Sequence, residues 1–298
     1  MKKDNVAIIG AGPAGLSCAL YLLRAGINPT IFEKKAPGGV LNEMVKIDNY
    51  PGFTEKSPST LAFRMYSAIE ELGANIVSSE VLSIRKENDD FIVKTNDEIY
   101  SFKFIVIASG RTPKKLPVLE NSNIKKGVSY CVTCDGALYK NKDVVIVGSG
   151  ASAVIASIYL SNLAHKIYMV NRSDKFKCEL KDKEIIESKD NIEIIYNSNI
   201  DNVITEDDKV VGVNLDNNRK LDIECIFVYI GQIINNMYYE NLKLNSDNLG
   251  ILVDNNMKAS LDRVYAIGDS VSKRLYQVVT AASEGALAAT DIIRAINR

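Results

Sequence analysis

The chain has 298 residues, 46% of them hydrophobic and 24% charged, the composition of a globular protein with room for about two domains. Its 36 basic and 37 acidic side chains leave a net charge of −1, which argues against nucleic acid as a partner, since a binder needs a basic surplus to neutralise phosphates. No run approaches ~18 unbroken apolar residues, so no membrane-spanning helix is expected, and five cysteines are too odd and sparse a set for a disulfide-stapled scaffold and point to a reducing, cytoplasmic setting.

In chain order, Lys2 and Lys3 precede an apolar run, as in a signal peptide, but Gly10, Gly12, Pro13 and Gly15 interrupt it and no small-residue cleavage site follows. Val6–Ile9 predicts a buried strand, the glycine-rich stretch a turn that opens a helix, and Pro29–Phe32 a second strand, together a βαβ unit. Phe104–Ala108 predicts another buried strand, ended by Ser109-Gly110, with Pro113 and Pro117 marking a crossover out of the domain. The plan of residues 4–34 then recurs at an offset of 138, so that Gly10 falls on Gly148, Gly12 on Gly150 and Gly15 on Ala153, between apolar runs at Val144–Val147 and Ile167–Val170. Asp201–Lys209 and Asn241–Asn248 are polar and read as solvated turns. Val264–Ile267 predicts a short strand closed by Gly268-Asp269, and Gln277–Ile296, with Gly285 inside it, a helix packed at close range.

The glycine turns carry chemistry for a physical reason. The first glycine permits the tight turn, the second lets a pyrophosphate approach the backbone, and the third position must be small for helix and strand to pack. The pyrophosphate then sits on the unpaired N–H groups and positive end of the helix. In the first copy Glu33 lies 18 residues after Gly15, where a carboxylate can accept both hydroxyls of an adenosine ribose, so this copy reads as a dinucleotide site. In the second copy the same position is Asn171, followed by Arg172, Lys175 and Lys177. The lost acid removes repulsion against a ribose 2′-phosphate that Arg172 can pair with, which favours NADP over NAD; a solvated charged turn is the alternative.

Between the repeats, Cys131-Val-Thr-Cys134-Asp135 holds the close cysteine pair. In an α/β chain this spacing reads as a dithiol/disulfide couple, with Asp135 placed to move a proton, because the thiolate attacks and the departing thiolate must be protonated. Zinc is the competing reading, but a closed site needs four ligands, and the remaining cysteines (Cys18, Cys178, Cys225) and the one histidine, His165, are scattered; no metal is therefore assigned. Cys18 and Cys225 read as core residues, and Cys178 receives no role.

IIGAGPAGL, Gly38-Gly39, NYPGF (49–53), IVIASGRTP, GVSYCVTCDGALY, VVIVGSGASAV, YAIGDS and QVVTAASEGALAAT together resemble the low-molecular-weight thioredoxin reductases over nearly the whole chain. The resemblance implies an α/β fold of two Rossmann-like nucleotide-binding domains. The first, discontinuous, spans 1–113 and 236–298 and binds FAD; the second, inserted at 114–235, is of NAD(P) type and carries the cysteines. It implies Gly10, Gly12, Gly15 and Glu33 at the FAD adenosine end, Asn49 near the flavin, Asp269 at the ribityl chain and Gln277 at the ring, with Gly39 and Gly268 also among the FAD-binding residues. Cys134 would face the flavin, Cys131 would attack the disulfide of a thioredoxin-like partner, and Asp135 would be the acid/base, in a homodimer whose domains swivel to bring the cysteines and the pyridine nucleotide to the flavin in turn.

The departures from the family concern the electron donor. NADPH-dependent members read H-R-R-x-x-x-R where this chain has Asn171, Arg172, Ser173 and Lys177; Ala151, Ile155 and Ala156 replace polar residues after the second turn; and Tyr276-Gln277 stands where R-Q is usual. Each lost charge-assisted contact costs roughly 1.5–3 kcal/mol. Gly148, Gly150 and Ala153 keep the phosphate turn, which supports NADPH. Reduced ferredoxin, as in the ferredoxin-dependent flavin thioredoxin reductases, is the alternative donor. At about −400 mV it lies roughly 130 mV below thioredoxin, a drop of about 6 kcal/mol for two electrons. NADH is a third donor. Two further readings remain: an NAD(P)H-dependent peroxiredoxin-reductase component, and an FAD-binding partner protein without enzymatic activity.

Overall fold

In the computed structural model, β1 (Lys2–Ile9) enters the turn at Gly10, α1 (Pro13–Arg24) leaves it, and β2 (Thr30–Glu33) returns parallel to β1. The structure describes residues 2–119, 124, 126–234 and 236–297. After α2 (Pro58–Glu70), β3 (Asn75–Ser78) adds beside β2. A meander of β4 (Val81–Glu87), β5 (Asp90–Thr95) and β6 (Ile99–Ile107) follows, and β6 closes parallel on β1.

The chain crosses through β7 (Thr112–Pro113) to β8 (Val128–Ser129), α3 (Val132–Asp135), β9 (Asp143–Val147), α4 (Ala151–Leu160), β10 (Lys166–Val170), α5 (Leu180–Glu187) and β11 (Ile192–Ile195). An antiparallel trio β12 (Ile200–Glu206), β13 (Lys209–Leu215), β14 (Lys220–Asp222) precedes β15 (Cys225–Val228). It then returns through β16 (Gln232–Ile233), which pairs with β7, to β17 (Ser246–Asp247), β18 (Gly250–Ile251), β19 (Val264–Ala266) and α6 (Val278–Ile296).

The chain divides into two compact units: Met1–Asn42, Lys46–Thr112 and Ile234–Arg298 form one, and Glu43–Val45 with Pro113–Ile233 the other. No feature of the sequence signals that Glu43–Val45 joins the second unit. The α/β fold class holds in both. In the first, β3-β2-β1-β6 continues to β19, which is parallel to β6. In the second, β11-β10-β9-β15-β8 is parallel throughout. The two copies share their register. Ala7 pairs with Thr30 in the first and Val145 with Tyr168 in the second, the same offset that relates the glycines. Both faces of each parallel sheet are covered, so the strands are continuous apolar runs rather than alternating ones: Val6, Ala7, Ile8 in one and Val144, Val145, Ile146 in the other are fully buried.

Two expectations are corrected. Asp201–Lys209 is not a solvated turn: all but Asp207 and Asp208 belong to the hairpin β12–β13, whose register shifts at Ile200/Asn202 and Ile204/Thr205 break the alternation that marks a strand in sequence. Asn241–Asn248 likewise contains the end of a short 3-10 turn, with Leu242 buried, and strand β17. Among the described residues no helix is long and apolar enough to cross a membrane.

Helices α1 and α6 cross at glycine distance. A Cβ on Gly285 would lie 2.3 Å from the Ala14 carbonyl oxygen and 2.8 Å from the Cys18 nitrogen. Gln277 caps α6 with a reciprocal pair of bonds to Thr280, fixing where the helix starts. Because both atoms opposing Gly285 are backbone, neither can swing away. Gly285→Ala should therefore cost about 1–3 kcal/mol, read as a lower urea midpoint than wild type.

Candidate active site

The strand before the cysteines sets their geometry. β8 ends at Ser129, and Cys131 caps α3 with extended backbone, φ −144° and ψ 102°. The single helical turn brings Cα131 and Cα134 within 5.4 Å, and the two sulfurs are joined as a disulfide. Cys131 is 8% exposed, whereas Cys134 is exposed.

Cys131 Sγ is the sulfur with donors aimed at it. The Cys134 N–H donates to it at 3.1 Å, and Thr133 Oγ1 lies 3.2 Å away. The same Thr133 hydroxyl lies 3.1 Å from the carbonyl oxygen of Glu43, a residue of the same unit. Ser129 Oγ accepts the Cys131 N–H at 3.1 Å and donates to Asp135 Oδ2 at 2.7 Å, so one hydroxyl ties the carboxylate to the cysteine backbone. The Val132 N–H donates to Tyr229 Oη at 3.1 Å, and burial pushes the Tyr229 phenol up. An N–H facing a sulfur favours its thiolate once the disulfide opens, and Asp135 stands one residue beyond Cys134, held by Ser129.

The sequence pattern picks out Cys131, Cys134 and Asp135 but not Ser129, Thr133 or Tyr229. Tyr229 lies 97 positions from Val132 and reaches it only because β15 lies between β8 and β9 in the sheet. The other thiols are unsuited to exchange at neutral pH: burial pushes Cys18 and Cys225 up to about 12, and Cys178 is also raised, chiefly by burial. Among the described residues no three His, Cys, Asp or Glu come together to hold a metal ion.

The first glycine turn is shaped for a backbone-hugging ligand. Gly10 has φ +110°, and a Cβ there would meet the Ala108 carbonyl oxygen at 2.5 Å; one on Gly15 would meet the Gly10 oxygen at 2.0 Å. Gly12 caps α1 with no side chain, and Gly39, at φ +54°, leaves only 3.0 Å between its would-be Cβ and the Gly12 Cα. The helix N-terminus therefore presents bare N–H groups in a space that side chains do not fill, which suits a pyrophosphate. Glu33 stands at this turn, its Oε2 accepting the Ala11 N–H and its Oε1 the Lys35 N–H, each at 2.8 Å.

In the same unit, Asn49 Nδ2 donates to Gln277 Oε1 at 2.9 Å, joining residues 228 positions apart. The Gly268 N–H donates to Glu284, which pairs with Lys273 at 2.8 Å in a nearly buried ion pair. Burial pushes the Asp269 carboxyl up, against the pull of Lys273 and Arg111. Arg111 donates to the Asp269 carbonyl oxygen at 3.0 Å and lies 4.0 Å over the Tyr276 ring. The Arg111 guanidinium, from the segment between β6 and β7, thus stacks on the Tyr276 ring. The glycine cradle, the Glu33 carboxylate beside it and the polar side chains of Asn49, Asp269 and Gln277 in the same unit fit a flavin dinucleotide.

The second turn keeps the shape with different chemistry. Gly148 has φ +133° with the Tyr229 carbonyl oxygen 2.2 Å from a would-be Cβ, while nothing lies within 4 Å of one on Gly150. Gly150 caps α4 without a side chain, and Ala153 is fully buried. The Lys177 N–H donates to the Ser149 carbonyl oxygen at 2.8 Å, bringing the cationic segment back onto the turn. Arg172, Lys175 and Lys177 are exposed, with no ion-pair partner among the described residues. Asn171 is 1% exposed and spends its amide on the Lys175 carbonyl oxygen, 3.1 Å away. It closes its own loop, where Glu33 in the first copy accepts the Ala11 N–H at the turn.

The chain matches, over residues 4–285, the family described as pyridine nucleotide-disulphide oxidoreductase. It is 35% identical over 295 residues to the 34.2 kDa protein in rubredoxin operon of Clostridium pasteurianum, covering 97% of this chain and 96% of that protein. With the thioredoxin reductase of Listeria monocytogenes it shares 32% identity over 295 residues, 96% of this chain and 92% of the other. The crystal structure of T. acidophilum thioredoxin reductase matches with a TM-score of 0.88 at 31% identity, covering 100% of both chains.

Ser129 is 3% exposed, so its removal strands both of its partners. Ser129→Ala should cost about 1–3 kcal/mol, the penalty for an unsatisfied buried polar group. It is checked by urea unfolding of the oxidised protein.

Proposed function

The chain belongs to the pyridine nucleotide-disulphide oxidoreductase family and, within it, to the low-molecular-weight thioredoxin reductases, and from that footing we propose that it is an FAD-dependent reductase of a thioredoxin-like disulfide. The observation that carries the reading is the Cys131–Cys134 disulfide closed over one helical turn, with a carboxylate tethered beside it by Ser129. In this reading the first unit is the FAD domain, with Gly10, Gly12, Gly15, Glu33, Gly39, Asn49, Gly268, Asp269 and Gln277 as its contacts, and the second is the NAD(P)-type domain. FAD, when bound, would supply the centre that accepts a hydride or single electrons from the donor and hands them on as a pair, which the cysteine couple alone cannot do.

The chain's own part is thiol chemistry. The Cys131–Cys134 disulfide accepts an electron pair and opens. The Cys131 thiolate, favoured by the Cys134 N–H, attacks one sulfur of the partner disulfide, and Asp135 relays the proton of the Cys134 thiol to the departing sulfur, which leaves Cys134 as a thiolate. Cys134 then attacks Cys131, which releases the reduced partner and restores the disulfide. Cys131 is 8% exposed, so it must be uncovered before it can reach a protein disulfide, and that uncovering belongs to the proposal.

NADPH is the proposed donor, held by Gly148, Gly150 and Ala153 at the pyrophosphate and by Arg172 and Lys177 at the 2′-phosphate. A second reading, the same dithiol chemistry driven by reduced ferredoxin, rests on Asn171 being consumed within its own loop and on the small number of cations at this turn. The cytoplasmic homodimer that the resemblance implies is part of the proposal.

The test is anaerobic titration of the FAD-loaded protein with NADPH, NADH and reduced ferredoxin in turn, watching the flavin band bleach, followed by oxidised thioredoxin. Bleaching by NADPH and reoxidation by thioredoxin are expected; a protein that binds no flavin, or that leaves thioredoxin oxidised whatever the donor, overturns the reading. Cys134→Ser should accumulate a Cys131–thioredoxin mixed disulfide visible on a non-reducing gel, and Cys131→Ser should not. The reverse pattern would exchange the roles of the two sulfurs.

A further inference from the structure

The Thr133 hydroxyl has one proton and two acceptors. Glu43 O lies 3.1 Å from Thr133 Oγ1 and Cys131 Sγ lies 3.2 Å from it. With the disulfide closed, Cys131 Sγ is a weak acceptor without charge, and a peptide carbonyl is the stronger competitor. Opening the disulfide reverses the order. Two electrons and one proton convert the bond into a Cys131 thiolate and a Cys134 thiol, and a full negative charge then lies within hydrogen-bond reach of the same hydroxyl. Charge-assisted hydrogen bonds are about twice as strong as neutral ones. The change requires only rotation about the Cβ–Oγ1 bond, because the oxygen already stands between the two acceptors.

We propose that Thr133 is a catalytic residue whose hydroxyl turns from the Glu43 carbonyl to the Cys131 sulfur when the disulfide opens, and so holds that sulfur as a thiolate. It acts beside the Cys134 N–H, which reaches the same sulfur at 3.1 Å. That amide is fixed by the backbone and faces Cys131 in the structure's closed disulfide, whereas the hydroxyl moves with redox state. The groups around the pair that carry or can take up charge are Asp135, Tyr229 and Glu43. Ser129 holds the Asp135 carboxylate by hydrogen bond, and Tyr229 Oη is engaged by the Val132 N–H. The proposal rests on Cys131–Cys134 being the redox couple of the proposed reductase. It adds a third group that touches the reacting sulfur.

The test is an equilibrium measurement on the FAD-loaded full chain that uses no thioredoxin. The protein is poised in buffers of reduced and oxidised dithiothreitol from pH 6 to pH 9, then acid-quenched and alkylated after unfolding. The reduced fraction at Cys131 and Cys134 is read by peptide mass. Thr133→Val keeps the shape and removes the proton. The Glu43 bond is lost in the disulfide state at every pH, so it contributes a constant offset between variant and wild type. The thiolate bond contributes only where Cys131 is ionised. The ratio of wild-type to variant reduction constants should therefore grow by about tenfold across the range, the size of one lost charge-assisted bond.

Thr133→Ser, which keeps the hydroxyl, should follow wild type, and Thr133→Ala should follow Thr133→Val. A ratio that stays flat with pH for both Val and Ala variants would overturn the proposal and leave the hydroxyl a structural bond to Glu43. If wild type failed to reduce thioredoxin, the proposed function would fall while this equilibrium still reported on Thr133.

Discussion

Everything in this protein depends on one constraint: at the end of a buried parallel strand, the chain must turn into a helix without a side chain in the way. At Gly10 and Gly148 the backbone takes a positive φ, and a Cβ would collide with a carbonyl oxygen of the neighbouring strand's end at 2.5 and 2.2 Å respectively. That closeness leaves the helix N-terminus bare and directed at whatever lies beyond the sheet. Because the constraint is local, it was met twice with the same strand pairing. The two copies differ in the side chains around the turn.

The divergence is chemical rather than architectural. At the first turn, Glu33 presents carboxylate oxygens beside the Ala11 amide. At the second, Asn171 is folded into its own loop and the charge comes from Arg172, Lys175 and Lys177, with Lys177 pinned to the turn through its backbone. One scaffold thus presents a carboxylate at the turn in one unit and cations in the other. The difference comes from a few side chains while buried strands such as Val6–Ile8 and Val144–Ile146 remain equivalent.

The redox centre follows a different logic. Its two sulfurs need no long-range packing to meet, since one helical turn brings them together. What long-range packing supplies is their surroundings. Ser129 arrives from β8, Tyr229 from the end of β15, and the Glu43 carbonyl from a distant segment of the chain. The two sulfurs are placed unequally: Cys131 is buried and its sulfur accepts the Cys134 N–H, and Cys134 is exposed. Such asymmetry is what a disulfide needs if one sulfur is to leave and attack as a thiolate and the other to resolve.

The amino-acid order alone determined the repeated strand–turn–helix units, the α/β class and the cysteine pair, because each is written in residues close together in the chain: a glycine at a fixed step, a run of aliphatics, an i,i+3 spacing. Cys18 and Cys225 were likewise readable as core from their apolar neighbours. The same reading took the β12–β13 hairpin for a turn, because bulges spoil the alternation that reveals a strand. Only the tertiary structure decided that Asn49 meets Gln277, that Arg111 covers Tyr276, that Asn171 is spent on its own loop, and that Thr133 stands between a carbonyl and a sulfur. Asn49 with Gln277, Arg111 with Tyr276 and Thr133 with Glu43 are distant pairs brought together by folding, and the Asn171 loop is closed by side-chain bonds; neither kind of contact leaves a periodicity in the sequence to find.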